Sequence, residues 1–440
     1  MKRKKLRIFI GPQEIAGYYA NLSRGFKKLG VECDFITYDT HPFEYGQESR
    51  KPRVLVIALW LRSVRKRVTQ SQVKEIVRYS EYIVLYGWVL HAILRYNTFI
   101  FGFGLTLLPG NKDLPILRLF RKKIISNLAH GSEARPPYVS GFAQSKYGER
   151  LSTEKLINKS ARIKSKVSTH ERWADVIIGA PFSTSHFSNY KFVNHFCIGL
   201  PIQIPLPMKK SLTDQIPSEI NNNKNVRILH SPSHPAGKGS SLISAAVNRL
   251  KDKGYTIDFV MLHGRPHAEI LSELQQCDFV VDQVFSDTPM AGFATEAAWF
   301  GKATVVGGYG LEALKAFVPK RLWPPSKICH PENIESAIEE LILDQRQRAR
   351  IERDAQEFVR DNWIAIKVAR RYLEIIEDQI PDEWWIDPSD VFYLEGVGQP
   401  MEYTKENVRK IVNSFGAPAL HLSHRPDLER AFLEFSDLQH

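Results

Sequence analysis

The chain has 440 residues, with 60 Lys and Arg against 48 Asp and Glu, 43% hydrophobic residues and 25% charged ones. That length exceeds one ordinary core and suits two domains of about 200 residues each, and the composition excludes disordered, collagen-like and coiled-coil chains. Residues 1–200 hold 33 Lys and Arg against 14 Asp and Glu, while the remainder holds 27 against 34, so the two halves should face different partners.

The basic start, Met1 to Lys5, is followed by only Leu6–Ile10 before Gly11 and Pro12, too short an apolar run for a signal peptide. Cys33, Cys197, Cys277 and Cys329 stand far apart, which argues against a disulfide scaffold or a zinc site and for a reducing compartment. The chain is therefore expected to be cytoplasmic. Leu6–Ile10 reads as a strand, Gly11–Gly17 as a glycine-bearing loop, Tyr18–Leu29 as a helix stopped by Gly30, and Glu32–Thr37 as a second strand. The β-branched run Val54–Leu61 predicts a strand, as do Tyr82–Tyr86, Ile124–Ala129 and Asp175–Ile178, with helices between them. From Tyr82 to Pro109 only Arg95 is charged, but Asn97, Gly102, Gly104 and Pro109 break the run, so a buried strand and helix are expected instead of a membrane span.

Gly199–Lys210 holds three prolines and reads as an extended connector. A second alternating run follows, with strands at Val226–His230, Ile257–Leu262, Asp278–Asp282 and Ala303–Val306. Helices are predicted at Ser240–Lys253, His267–Gln276, Ala294–Phe300, Asn333–Phe358 and Ile364–Ile380. The last 60 residues form an extension in which Trp384, Trp385, Phe392 and Tyr393 pack on the body, while the final turns read as a plain surface helix. Alternation of this kind implies parallel, doubly wound sheets, with ligands bound at the carboxyl ends of the strands.

Two strand-end segments carry chemistry. In His230-Ser-Pro-Ser-His-Pro-Ala-Gly-Lys-Gly239, Gly237–Gly239 should open a helix, where a lysine opposes the macrodipole unless an anion bridges it to the free N–H groups. Lys238 is thus a phosphate ligand or a surface lysine. It is no Walker A loop, since Pro232 and Gly239 stand where glycine and Ser or Thr are needed. In Asp287–Val306 a loop around Gly292 leads to a short helix with Glu296, which either accepts hydrogen bonds from a ribose diol or caps the helix. The basic clusters Lys2–Lys5, Arg62–Arg67 and Arg118–Lys123 could attract nucleic acid, an anionic membrane or an acidic glycan, or form a solvated face.

From Asn225 to Val306 the chain resembles the nucleotide-sugar domain of GT-B glycosyltransferases, in the retaining group called family four. The resemblance rests on His230-Ser-Pro-Ser-His with Lys238-Gly239, on Asp278–Gln283, and on Thr295-Glu296-Ala-Ala-Trp-Phe-Gly-Lys-Ala-Thr. Gly11–Gly17 with Tyr-Tyr-Ala-Asn, His130-Gly-Ser-Glu-Ala-Arg135, Ala174–Pro181, and the closing helix with Trp363 and Arg371 extend it over residues 6–378. It implies two Rossmann-like α/β domains facing a cleft: residues 1–200 for the acceptor, a linker at 201–224, residues 225–362 for the nucleotide sugar, a closing helix at 363–380, and an extension at 381–440.

The resemblance also implies roles. Lys238 with Gly239 would hold the donor diphosphate, Glu296 the ribose, and Gly17 would let backbone approach the phosphate from the other domain. His130 would lie near the transferred sugar, and Asp282 and Gln283 beside the donor pocket. Relatives commonly carry Arg where Ser233 stands and Glu where Thr288 stands, beside Asp287, so more of the diphosphate charge would fall on Lys238, the helix amino end and His234. No Asp-x-Asp motif is present, and neither metal nor other cofactor is expected. The expected reaction is metal-independent, retaining transfer from a nucleotide sugar to a glycan or lipid-linked glycan, with peripheral contact at an anionic inner membrane face and no nucleic-acid partner. The alternatives are a nucleotide-sugar epimerase of the same fold and a silent glycan-binding subunit.

Overall fold

The computed structural model describes residues 5–39, 51–144, 148–203 and 225–438. Lys2–Lys4 and positions 204–224 of the expected linker lie outside them. Seven strands form the first sheet: β1 (Arg7–Gly11), β2 (Glu32–Phe35), β3 (Thr98–Gly102), β4 (Lys123–Asn127), β5 (Val176–Gly179), β6 (Phe192–Asn194) and, from the extension, β12 (Trp385–Ile386). The second sheet comprises β7 (Val226–His230), β8 (Ile257–Met261), β9 (Phe279–Gln283), β10 (Ala303–Gly307) and β11 (Lys327–Cys329). The strand orders are β12-β6-β5-β4-β3-β1-β2 and β11-β10-β9-β7-β8. All pairings are parallel except that of β12 with β6.

The central strands are buried on both faces, which is why they read as unbroken apolar runs. Side chains alternate between faces: Ile8 and Ile10 enter one core layer, and Phe9 enters the other, its ring 5.7 Å from that of Phe99. In both sheets the order reverses beside the first strand, between β1 and β3 and between β7 and β9. Each reversal opens a crevice at the carboxyl ends of those strands.

Several expectations need correction. Val54–Leu61 and Tyr82–Tyr86 are not strands but parts of two antiparallel helices, Arg53–Arg67 and Ser71–Arg95. Burial decides between the two periods: Leu55 and Ala58 are the buried positions of the first helix, and Glu81, Leu85, Trp88 and Ala92 are buried on the second, a helical spacing. The long helix expected at Asn333–Phe358 is two, Ile334–Leu343 and Gln345–Asn362, because Asp344 leaves helical geometry and caps the second by accepting from the Gln347 N–H at 2.8 Å. The last helix, Pro426–Phe435, is no plain surface helix, since Phe432 is fully buried against Tyr138. In the extension Trp384 and Tyr393 are buried as expected, but Phe392 is half exposed.

Two features bind the lobes. Helix Ala365–Ile376 crosses back onto helix Tyr18–Lys28, where the Tyr372 and Tyr18 hydroxyls lie 3.1 Å apart and Arg371 donates to the Ile198 carbonyl at 3.0 Å. The extension then straps both lobes together. Tyr393 stacks on Phe182, the Val397 N–H donates to the Val139 carbonyl at 2.9 Å, and the Gly398 N–H donates to the Phe285 carbonyl at 2.8 Å.

Candidate functional site

Between the lobes lies a cavity of about 610 Å³. The first lobe supplies the loop after β1 with Gly17, the amino-terminal turns of helix Tyr18–Lys28, His130 beyond β4, and His195. The second lobe supplies Asp287, Thr288 and Gly292 from the loop after β9, then Glu296, His267 and Trp363.

The two facing helix amino ends differ. On the first lobe, Glu14 is buried and takes up the orphan donors itself: its carboxylate accepts from the N–H groups of Ile15 (2.7 Å), Tyr19 (3.2 Å) and Ala20 (2.9 Å). Burial pushes the Glu14 pKa up, and these three bonds only partly offset it. On the second lobe no side chain among the described residues caps helix Gly292–Trp299, so the N–H groups of its first turn have no partner within the helix.

Glu296 Oε1 accepts from His267 Nε2 at 2.7 Å. Burial lowers the His267 pKa, but the hydrogen bond and charge of Glu296 outweigh it, and the net direction is upward. His130 is the opposite case. Its Nε2 shares a hydrogen with the Tyr19 hydroxyl at 2.8 Å, and burial, with a smaller effect from His195, brings its pKa down to about 3. His195 is brought down to about 4 by burial and stacks on Tyr18, and its Nδ1 has no partner among the described residues. The Trp363 Nε1 and Gln203 Oε1 atoms on the cavity wall are buried and likewise have no partner among the described residues. Orphaned polar atoms of this kind cost stability unless something binds them.

Of the residues singled out in the sequence, Gly17, His130, Asp287, Gly292 and Glu296 line this cavity, whereas Lys238, Ser233, His234, Gly239, Asp282 and Gln283 do not. Lys238 does not sit in the first turn of the long helix. A single turn, Pro235–Lys238, is separated from helix Ser240–Asp252 by Gly239 in the left-handed region (φ 74°). The Lys238 ammonium donates to Asp282 Oδ1 at 3.1 Å, because the fully buried carboxylate needs a counter-charge. His234 Nδ1 caps that turn by accepting from the Gly237 N–H at 2.9 Å, Ser233 is exposed, and Gln283 donates to Ser286 Oγ at 2.5 Å. Asp287 is held by an ion pair with Arg135 across the cleft. Sequence reasoning missed His267, His195, Gln203 and Trp363, which belong to no strand-end motif. Among the described residues no three His, Cys, Asp or Glu side chains gather as a metal site would require.

Two doubly wound lobes facing one cleft, with a helix near the carboxyl end crossing back onto the first, form the GT-B arrangement. That is the fold of this chain. No protein-family model matches the sequence, and no curated protein matches it. Among solved structures, HepE (Alr3699) of Anabaena in complex with UDP-glucose is similar at 13% identity, with 84% of this chain and 99% of that chain covered and a TM-score of 0.45. A glycosyltransferase from Rickettsia africae is similar at 11% identity, with 86% and 100% covered and a TM-score of 0.46. MnaA of S. aureus with UDP is similar at 11% identity, with 86% and 98% covered and a TM-score of 0.38.

Four buried histidines and the half-buried His130 predict the acid limb of stability. His130, His170, His186, His195 and His230 are all held below the ordinary value of 6.5, chiefly by burial, to between about 3 and about 4. Between those values and 6.5 the unfolded chain binds protons that the folded chain refuses, so stability falls as pH drops through that window. Glu133 and Glu352, both raised to about 7 by burial, act in the opposite sense, but five imidazoles outnumber two carboxyls. Thermal melts from pH 7 to pH 4 should therefore show Tm declining below about pH 6.5, and a Tm that rose on acidification would contradict neutral imidazoles.

Proposed function

We propose that this chain transfers a sugar from a nucleoside-diphosphate sugar held in the interlobe cavity to a hydroxyl-bearing glycan or lipid-linked acceptor. The observation that carries the reading is the meeting of unlike groups on one cavity: an uncapped helix amino end and a carboxylate on one wall, weakly basic histidines on the other. In this reading the diphosphate lies at the amino end of helix Gly292–Trp299, where dipole and free N–H groups favour an anion. Glu296, steadied by His267, accepts from the ribose hydroxyls. A pKa of about 3 leaves His130 too weak a base to deprotonate an alcohol at neutral pH, so its assigned role is to hydrogen-bond the sugar. The bond from anomeric carbon to phosphate oxygen breaks and a bond from that carbon to the acceptor oxygen forms on the same face. The departing phosphate takes the acceptor's proton, and the helix dipole steadies the charge left on it.

Glu14 changes one part of the expected grip. With the Tyr19 and Ala20 N–H groups already engaged, the loop at Gly17 shapes the cavity floor and is not assigned as an anion site.

A thermal-shift screen against UDP, GDP, ADP and CMP tests the reading, followed by donor turnover with the nucleotide that stabilises the protein. One nucleoside diphosphate should raise Tm. Glu296→Gln should weaken its binding by about tenfold to a hundredfold, the loss of a charged hydrogen bond. No shift with any nucleotide, or an unchanged affinity in Glu296→Gln, would defeat the proposal. Conversion of the donor to its epimer without an acceptor would replace transfer with isomerisation.

A further inference from the structure

We propose that the hairpin of helices Arg53–Arg67 and Ser71–Arg95 lays this protein on the surface of an anionic phospholipid bilayer. The inference stands on the hairpin alone and does not depend on the reaction proposed above. Ile76, Tyr79, Ile83, Tyr86, Leu90 and Leu94 recur every three or four residues along the outer face of the longer helix, each between 45% and 73% exposed. Its inner face, with Leu85, Trp88 and Ala92, is separately buried in the first lobe. The helix is therefore apolar on both sides, whereas a helix packed on a core normally turns polar side chains to water. The shorter helix continues the apolar surface with Val56, Ile57 and Trp60, all at least half exposed. The two helices meet where Val54 Cγ2 lies 3.7 Å from the place a Cβ on Gly87 would take, so the outward stripes adjoin. An apolar face of this extent marks an interaction surface.

Charge selects the occupant. Residues 51–123 carry 14 Lys and Arg against three Asp and Glu. Two of those acids are buried: Asp113, and Glu81, on which Arg62 and Arg65 both converge at 2.9 and 2.8 Å. Exposed Lys66, Arg67 and Lys74 crowd the turn of the hairpin. A second copy seated on this face would set two strongly basic surfaces against each other, whereas acidic headgroups complement the charge while the stripe enters the acyl boundary. Among the described residues no helix is long and apolar enough to cross a membrane, so the hairpin lies on the bilayer and does not span it.

Co-sedimentation of the full chain with vesicles of phosphatidylcholine alone, and of phosphatidylcholine mixed with phosphatidylglycerol, tests this. The protein should partition to the mixed vesicles only, and added salt should weaken partitioning. Ile83→Glu with Leu90→Glu should reduce it by about tenfold or more, because two apolar contacts are lost. These side chains are exposed, so the variant's circular dichroism and Tm should match the parent's. Lys66→Gln with Arg67→Gln and Lys74→Gln should reduce partitioning without touching the stripe. Equal partitioning to both vesicle types, full partitioning by the Glu variant, or a dimer in sedimentation velocity that this variant dissociates with no vesicle binding would each overturn the proposal.

Discussion

Replacing Lys238 with alanine should destabilise the fold by about 3–5 kcal/mol, the loss expected when one partner of a buried ion pair is removed. Asp282 has no exposed side-chain surface, its Oδ1 accepts from the Lys238 ammonium, and its Oδ2 has no partner among the described atoms. The substitution therefore strands a carboxylate in the core at the end of β9. The surrounding loop cannot relax to hydrate it, because the Val284 N–H donates to the Lys238 carbonyl at 3.0 Å and Gly239 lies flat against Val284. Lys238→Met combined with Asp282→Asn removes both charges at nearly constant volume and should restore most of the loss. Urea unfolding at constant m-value gives both numbers, and a double-mutant cycle gives the coupling. Nucleotide binding by the stable double variant then separates two roles. If it binds like the parent, Lys238 serves the fold alone; if it folds well but binds nothing, the ammonium also reaches the diphosphate. Lys238→Ala with parental stability would show that the ion pair is not what holds this loop.

The strands of the second lobe are legible in the sequence because Val226–His230, Phe279–Gln283 and Ala303–Gly307 are short, β-branched, buried runs with polar residues at their ends. The loop at Asp287–Gly292 and the helix with Glu296 are legible for a similar reason, as a glycine-bearing turn after a strand. The bond between Lys238 and Asp282 is not, because 44 positions separate them and only the pairing of β7 with β9 brings their loops together. His267, 29 positions from Glu296, is hidden in the same way. The hairpin at residues 53–95 misleads for a different reason. Its β-branched and aromatic residues favour a strand locally, and the helical period shows only when the buried series Glu81, Leu85, Trp88 and Ala92 is separated from an outer stripe that is also apolar. The misreading and the proposed docking face fall on the same residues, because both arise from that outer apolar stripe.

Gly25→Ala should destabilise the protein by about 3 kcal/mol and weaken nucleotide binding as well, although Gly25 touches no part of the cavity. It sits mid-helix in Tyr18–Lys28, where alanine is intrinsically preferred by about 1 kcal/mol, so local propensity predicts the opposite sign. Packing reverses it. A Cβ at Gly25 would lie 2.1 Å from the Ala365 carbonyl oxygen and 3.0 Å from the Ala369 Cβ, and a backbone carbonyl has no rotamer by which to escape. The closing helix would have to retreat, straining the bond between Tyr18 and Tyr372 and the hold of Arg371 on the Ile198 carbonyl. Trp363, two residues before that helix and part of the cavity wall, would move with it. Gly30→Ala is the control: Gly30 lies at φ +73° with nothing among the described residues within 4 Å of an added Cβ, so it should cost only about 1 kcal/mol of backbone strain and leave binding unchanged. Differential scanning calorimetry with nucleotide titration reads both effects. If Gly25→Ala melted at or above the parent temperature, helix propensity would have prevailed, and the close seating of Ala365–Ile376 on Tyr18–Lys28 could not be what joins the lobes.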